Sequence, residues 1–317
     1  MEFKEAVAKL SLEEKVKVLT GEDFWTTWAL PSINLRKMVV SDGPSGVRGE
    51  LWDERSPSLS LPSATAMAST WDKSILHRIG EVMAFEARRK NVDVVLGPTI
   101  NLHRSPLGGR HFEAYSEDSV LSGALAASFI KGIQGQGVGG CLKHFVANDA
   151  ETDRHTVNNV VDEETLREVY ALPFEIAVRD ANPWTIMSAY NRLNGPKMAA
   201  SPLLNSILKE EWGWDGLVVS DWTGIQSTVD TANEGNDLEM PGPFGFWGEK
   251  LLAAVKSGEV SEVAIDAKVE RILRLAYRVG KFAEAESKAA KQFTDAQLQK
   301  AAREIGSQSI VLVKNDN

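Results

Sequence analysis

The residue best placed to do chemistry is Asp221, which follows the apolar run Leu217-Val218-Val219-Ser220 and precedes Trp222, Thr223 and Gly224. A β-branched run of this kind suits a strand covered on both faces, and catalytic groups in parallel α/β folds sit where such strands end. Capping of a following helix, with help from Thr223, is the competing use of the same side chain. Other polar residues stand in the same relation to other apolar runs. Asp42 follows Val39-Val40-Ser41, and Arg110 lies in the loop after Val94-Val95-Leu96. Lys143 and His144 end the run that contains Cys141, and the loop beyond them carries Asn148, Asp149, Glu151, Arg154 and His155. Tyr190 and Asn191 follow Met187-Ser188-Ala189. Any one of these is explained as a cap or a surface ion pair. Their shared place at the same end of successive runs points to a single rim.

Charge suggests what such a rim would do. Lys143 and Arg110, with Arg154 nearby, would hold Asp221 ionised, giving a carboxylate fit to attack rather than an acid fit to protonate. Asp42 is then a second carboxylate, suited to hydroxyl recognition. Carboxylates, a lysine, an arginine and indoles together describe a saccharide pocket, in which hydrogen bonds orient the ring and aromatics cover its apolar face. Phosphate is disfavoured by the carboxylates and by the lack of a Gly-rich phosphate loop. His103, His111, His144 and His155 do not have zinc-helix spacing and there is no cysteine cluster, so neither a metal nor another cofactor is expected. No G-x-S-x-G elbow supports a serine hydrolase.

The elements that would carry the rim alternate. Strands are expected at Met38–Ser41, Asp93–Leu96, Gly140–Phe145, Thr185–Ala189, Leu217–Ser220 and, briefly, Leu238–Met240. Helical patterns fall at about 72–90, 117–134, 163–180, 202–211, 225–234, 247–257 and 261–280. Ser11 and Glu14 form a capping-box pattern for an earlier short helix. Strand-helix repetition without a Gly-rich dinucleotide turn favours a (β/α)8-type TIM barrel over an open doubly wound sheet. Residues 43–62 show no helical period, so the barrel is expected to be irregular or collapsed at its first units.

Composition sets outer limits. With 317 residues, 43% of them hydrophobic and 25% charged, the chain can bury a large core as one barrel. A net charge of −9 argues against a nucleic-acid or anionic-membrane surface, leaving a neutral or cationic small substrate. Cys141, the sole cysteine, excludes an internal disulfide and fits a cytoplasmic protein. The first residues lack signal-peptide order and no run is long enough to span a bilayer. Nine tryptophans are many for this length, and indoles serve as platforms for sugar rings as well as core fillers. The expected organisation is a barrel over 1–280, a helical linker over 281–308, and at 309–317 the opening strand of a truncated second domain, because Ile310-Val311-Leu312-Val313 has nothing left to pair with.

Five segments together resemble the β-glucosidases of glycoside hydrolase family 3. They are Asp42-Gly43-Pro44-Ser45-Gly46-Val47-Arg48; Gly109-Arg110-His111-Phe112-Glu113 with Ser116-Glu117-Asp118; Lys143-His144-Phe145-Val146-Ala147-Asn148 with Glu151 and Arg154; Ser188-Ala189-Tyr190-Asn191 with Asn194-Gly195; and Val219-Ser220-Asp221-Trp222. Ser309 to Asn315 likewise resembles the opening strand of that family's α/β sandwich domain. The resemblance implies hydrolysis of terminal β-D-glucosidic bonds with retention, Asp221 being the nucleophile. It implies a sugar subsite of Asp42, Arg110, Lys143, His144 and Tyr190, supported by Arg154, with Trp222 lining the ring and Met187 and Glu239 as weaker correspondences. In two-domain members the general acid/base is a glutamate of the second domain, and no glutamate here matches it. An inactive sugar-binding half that needs the missing domain or a partner chain is therefore an alternative. A single-domain branch, the β-N-acetylglucosaminidases, uses an Asp-x-His pair that Asp153-Arg154-His155 mimics in spacing.

Overall fold

The apolar runs become parallel strands. The computed structural model describes residues 3–51, 53–282 and 290–316. Its main sheet contains β1 (Val40–Asp42), β2 (Val94–Leu96), β3 (Gly139–Phe145), β4 (Thr185–Ser188) and β5 (Leu217–Ser220), in chain order. All neighbours are parallel, with Val40 opposite Val94 and Ile186 opposite Val218. The sheet curls until its edges meet. Val219 bridges Leu238 and Thr20 bridges Glu239 in parallel, then Gly21 pairs with Thr27 and Thr26 with Val39 in antiparallel fashion.

This is the α/β barrel that the repetition implies, with the irregularity localised. Closure runs through residues 20–27, which turn back on themselves instead of forming another strand-helix unit. Leu238–Met240, expected as a strand, contributes a bridge rather than a ladder. The described residues of 43–62 hold turns and no helix, so β1 is followed by a loop over the rim.

Among the long helices on the outer face are α1 (Lys73–Arg89), α2 (Ser119–Gly135) and a run over 163–181 whose last part is α3 (Leu172–Ala181). Asp72 and Asp118 cap the first two, accepting from Ser74 and Leu121 N–H, which satisfies donors that a helix start leaves unpaired. The α1–α2 contact is close enough to need glycine on both sides. A Cβ at Gly132 would stand 2.1 Å from the His77 carbonyl oxygen, and one at Gly80 2.4 Å from that of Phe129. Backbone cannot yield as a side chain does. Gly132→Ala is therefore expected to destabilise by about 1–3 kcal/mol despite its better helix propensity. Gly135→Ala, with nothing within 4 Å, is the neutral-to-stabilising control, and urea midpoints compare the two.

Later elements depart more from expectation. Residues 204–211 and 166–171 wind with wider π-type turns, and the helix expected at 225–234 is shortened to Val229–Asn233. Glu249–Lys256 and Glu262–Arg278 match the expected positions. The expected linker falls partly on 283–289, outside the described residues. Its remainder, Asp295–Gln308, is a helix docked on the barrel, burying Leu298, Ala301 and Ile305 and pairing Glu304 with Arg78 of α1 at 2.7 Å. Ile310 to Val313 are exposed and unassigned to any strand.

Candidate functional site

Strand alternation carries the polar residues to one place. On one side of the sheet Val39, Val95, Leu142, Ile186 and Val218 pack with the outer helices. Their chain neighbours Val40, Val94, Leu96, Cys141, Met187, Leu217 and Val219 belong to the other cluster. Successive side chains of a strand point to opposite faces, so Asp42, Lys143 and Asp221 continue the second set by two residues from Val40, Cys141 and Val219. His144 has the wrong parity for this face. The pairing of β3 with β4 shifts register between Leu142 and Phe145, and such an irregularity re-aims a side chain toward the rim.

The result is a cavity of about 220 Å³ lined by Asp42, Arg110, Lys143, His144, Arg154, Met187, Tyr190, Asp221 and Trp222, together with Phe24, Trp25, Arg48 and Leu96. Nine of the ten positions read from the sequence meet there. The tenth, Glu239, does not. Both of its carboxylate oxygens accept backbone N–H groups, from Phe246 at 2.7 Å and Trp247 at 2.8 Å, so it ties down the loop after the closing segment.

Asp42 and Asp221 are the carboxylates lining the cavity among the described residues, and they differ electrostatically. Burial pushes Asp42 up, but the charge and hydrogen bond of Lys143, whose Nζ lies 2.9 Å from Oδ1, outweigh it with help from Arg48. Its carboxyl is held below the ordinary value. For Asp221 the balance reverses. Burial raises its pKa more than Lys143, the Trp222 N–H, Arg110 and Tyr190 lower it. Lys143 and Arg110 act on Asp221 in the expected direction, lowering its pKa, against a larger desolvation cost.

Asp221 is no helix cap, since the next helix begins only at Val229. Its Oδ1 accepts the Trp222 N–H at 2.7 Å. Oδ2 is buried and accepts no hydrogen bond, with His144 Nε2 3.5 Å away. Burial first, then Arg110, Lys143 and Arg154, hold the His144 pKa well below the ordinary value, so its ring is neutral.

A second layer fixes the cations. Arg110 pairs through Nε with Glu113 and through a terminal nitrogen with Glu151 at 3.3 Å. Glu151 also accepts from Arg154 at 2.9 Å and from Asn148 at 3.1 Å. Arg154 stacks over Tyr190, 4.8 Å from the ring centroid, and the Tyr190 hydroxyl donates to the Trp222 carbonyl at 2.7 Å. His155 lies against the outer side of this group, its ring 4.2 Å from that of Tyr190, and both His155 and Asp153 are exposed and outside the cavity lining.

Phe24 and Trp25 were not singled out by the sequence, although an aromatic pair between polar residues, in a chain rich in tryptophan, was a signal. They form a cluster with Trp222 at the mouth, Trp25 and Trp222 being 5.2 Å apart and the Trp222 indole donating to the Phe24 carbonyl at 2.9 Å. Asn101, which hydrogen-bonds His144, had no sequence signal.

Comparison with known proteins agrees with this geometry. The chain is 46% identical over 310 residues to a beta-glucosidase of Rhizobium radiobacter, covering 97% of the chain and 38% of the relative. It is 44% identical over its full length to a probable beta-glucosidase I of Aspergillus flavus, again 38% of that protein. The chain thus spans well under half the length of the curated relatives it matches. The crystal structure of a beta-glucosidase from Kluyveromyces marxianus in complex with glucose superposes with a TM-score of 0.94 at 38% identity, over 100% of this chain and 39% of that one. Residues 30–275 match the glycosyl hydrolase family 3 N terminal domain, and the chain belongs to that family.

Proposed function

We propose that this domain binds a terminal β-D-glucosyl unit and supplies the nucleophile of a retaining hydrolysis. One observation carries the reading: Asp221 has one oxygen fixed by the Trp222 N–H and the other buried at the cavity without a hydrogen bond. In the first step Oδ2 forms a bond to the anomeric carbon as the bond to the leaving oxygen breaks. Water then attacks the same carbon, giving a proton to the group that had protonated the leaving oxygen, as the bond to Asp221 breaks, the carboxylate is released and the configuration is restored. Lys143 and Asp42, paired at the cavity, suit two neighbouring hydroxyls, and the Trp222 cluster covers a ring face. Glucose in the Kluyveromyces marxianus structure supports this sugar.

The leaving oxygen of an ordinary glycoside also needs a proton. Asp42 is a poor source, since Lys143 holds it ionised. No third carboxyl lines the cavity among the described residues. The acid is therefore assigned to a further domain or a partner chain, and this domain by itself processes substrates whose leaving group departs without protonation.

A 2-deoxy-2-fluoro-β-glucoside with a dinitrophenyl leaving group tests the reading. Mass spectrometry of the digested protein is expected to place one fluoroglucosyl unit on the peptide containing Asp221, whereas labelling at another residue overturns the assignment. Asp153→Ala and His155→Ala are expected to label at rates within about threefold of the parent, because mutation outside a contacted site changes little. Loss of turnover on an N-acetylglucosaminide in His155→Ala would favour the Asp-x-His mechanism instead.

A further inference from the structure

The structure assigns Asn101 as a positioning residue that locks His144 in the tautomer protonated at Nδ1, so that Nε2 presents a lone pair beside the reactive oxygen of Asp221. The inference rests on the reading of Asp221 as nucleophile, and it concerns a residue outside the cavity lining.

The argument begins with the amide. Asn101 Nδ2 donates to the His144 carbonyl at 3.0 Å and Asn101 Oδ1 accepts the His144 backbone N–H at 2.9 Å. Rotating the amide by 180° would set donor against donor and acceptor against acceptor, so its orientation is fixed by main chain. The same Oδ1 lies 3.1 Å from His144 Nδ1. An amide oxygen can only accept, so Nδ1 must carry a hydrogen. A neutral imidazole has one N–H, and Nε2 is left as an acceptor. Both residues are buried, Asn101 at 7% and His144 at 2% exposure, so water offers little competition.

The consequence falls on Asp221. Its Oδ2 accepts no hydrogen bond in the structure and lies 3.5 Å from Nε2, while the neighbouring Tyr190 hydroxyl, which also acts on this carboxyl, is directed to the Trp222 carbonyl. In the other tautomer, Nε2–H would donate to Oδ2, stabilise the carboxylate and tie up the electron pair that must reach the anomeric carbon. With the lock in place that pair stays available, and the Nε2 lone pair is open to a hydroxyl proton from the sugar. One side chain in the loop after the adjacent strand β2 thus sets whether His144 quenches the nucleophile or accepts from substrate.

Histidine labelled with nitrogen-15 at both ring positions provides a test that needs no turnover. Proton–nitrogen correlation spectra of the 317-residue chain distinguish protonated from bare ring nitrogens, and His144→Gln identifies the His144 signals among the five histidines. The expected result is a protonated Nδ1 and a bare Nε2, while a protonated Nε2 overturns the proposal. In Asn101→Leu the signals should shift toward the other tautomer, and the rate of fluoroglucoside labelling at saturation should fall by about 10²-fold with a smaller change in half-saturation, as expected for misplacement at the reacting atoms. Asn101→Gln, which keeps an amide oxygen, should recover part of the rate. A mixed tautomer with an unchanged labelling rate would refute the role, whereas correct tautomers in a chain that never labels would refute the nucleophile reading alone.

Discussion

Asp221→Ala is expected to abolish covalent labelling by the fluoroglucoside and to lower turnover of an activated aryl glucoside by roughly 10⁴- to 10⁶-fold, the scale of losing a nucleophile. The size follows from what remains. Asp42, the other carboxylate at the cavity among the described residues, is held in its ion pair with Lys143 and is not placed to substitute for Asp221 without breaking that pair. Binding should survive, because Asp42, Lys143, Arg110 and Trp222 are untouched. The variant also leaves a space, bordered by Lys143 and Arg110, that a small anion fits. Azide is expected to restore part of the rate and to give a glycosyl azide of inverted configuration, because the anion attacks from the side Asp221 would have used. A retained β-product, or labelling that persists without Asp221, would end the assignment.

How much of this site lay open in the sequence follows from periodicity. Asp42 and Asp221 were legible because each continues an apolar strand by whole steps of two, and Lys143 because it follows Cys141 in the same way. Arg110, Arg154 and Tyr190 lie in loops, where no period operates; their place beyond apolar runs marked them for the rim, and the order of motifs gave them a role in the sugar subsite. His144 shows where local pattern fails: by parity it belongs to the helix-covered face, and only the register shift at the end of β3 turns it inward. Glu239 fails in the opposite sense. It sits beside the closing segment, yet backbone donors of its own loop capture both its oxygens, a contact between residues seven and eight apart with no sequence signature.

The fold divides along the same line. Strand-helix alternation announced a barrel, and the Gly-, Pro- and Ser-rich stretch after Asp42 announced that its start was irregular. Closure by antiparallel pairing of Thr26 with Val39 was not readable, since residues 20–27 lack a strand-length apolar run. That hidden turn is what brings Phe24 and Trp25 to the cavity. The helix Asp295–Gln308 was seen, but its docking depends on Leu298, Ala301 and Ile305 meeting α1 and its surroundings, which a composition rich in Ala, Gln and Lys disguised as a spacer.

Lys143→Met should move the acid limb of the labelling rate to higher pH and lower the rate on its plateau by about 10²- to 10³-fold, the usual effect of removing one preorganised charge from a reaction centre. The direction can be worked out from Asp221. Burial raises its carboxyl above the ordinary value, and Lys143 is the largest influence opposing that rise. Attack needs the ionised form, so the rate falls as pH drops through that pKa. Removing the ammonium takes away the main offset, the pKa climbs further, and the fall begins at higher pH. Asp42 changes in the same direction. Lys143 is what carries its carboxyl below the ordinary range, and without that partner its burial is opposed mainly by Arg48. The methionine stem replaces the packing of the lysine stem closely, which separates loss of charge from loss of volume. An acid limb that stays in place in Lys143→Met would mean that the ammonium acts on the sugar and Asp42 alone, and that the Trp222 N–H, Arg110 and Tyr190 set the ionisation of Asp221 against its burial.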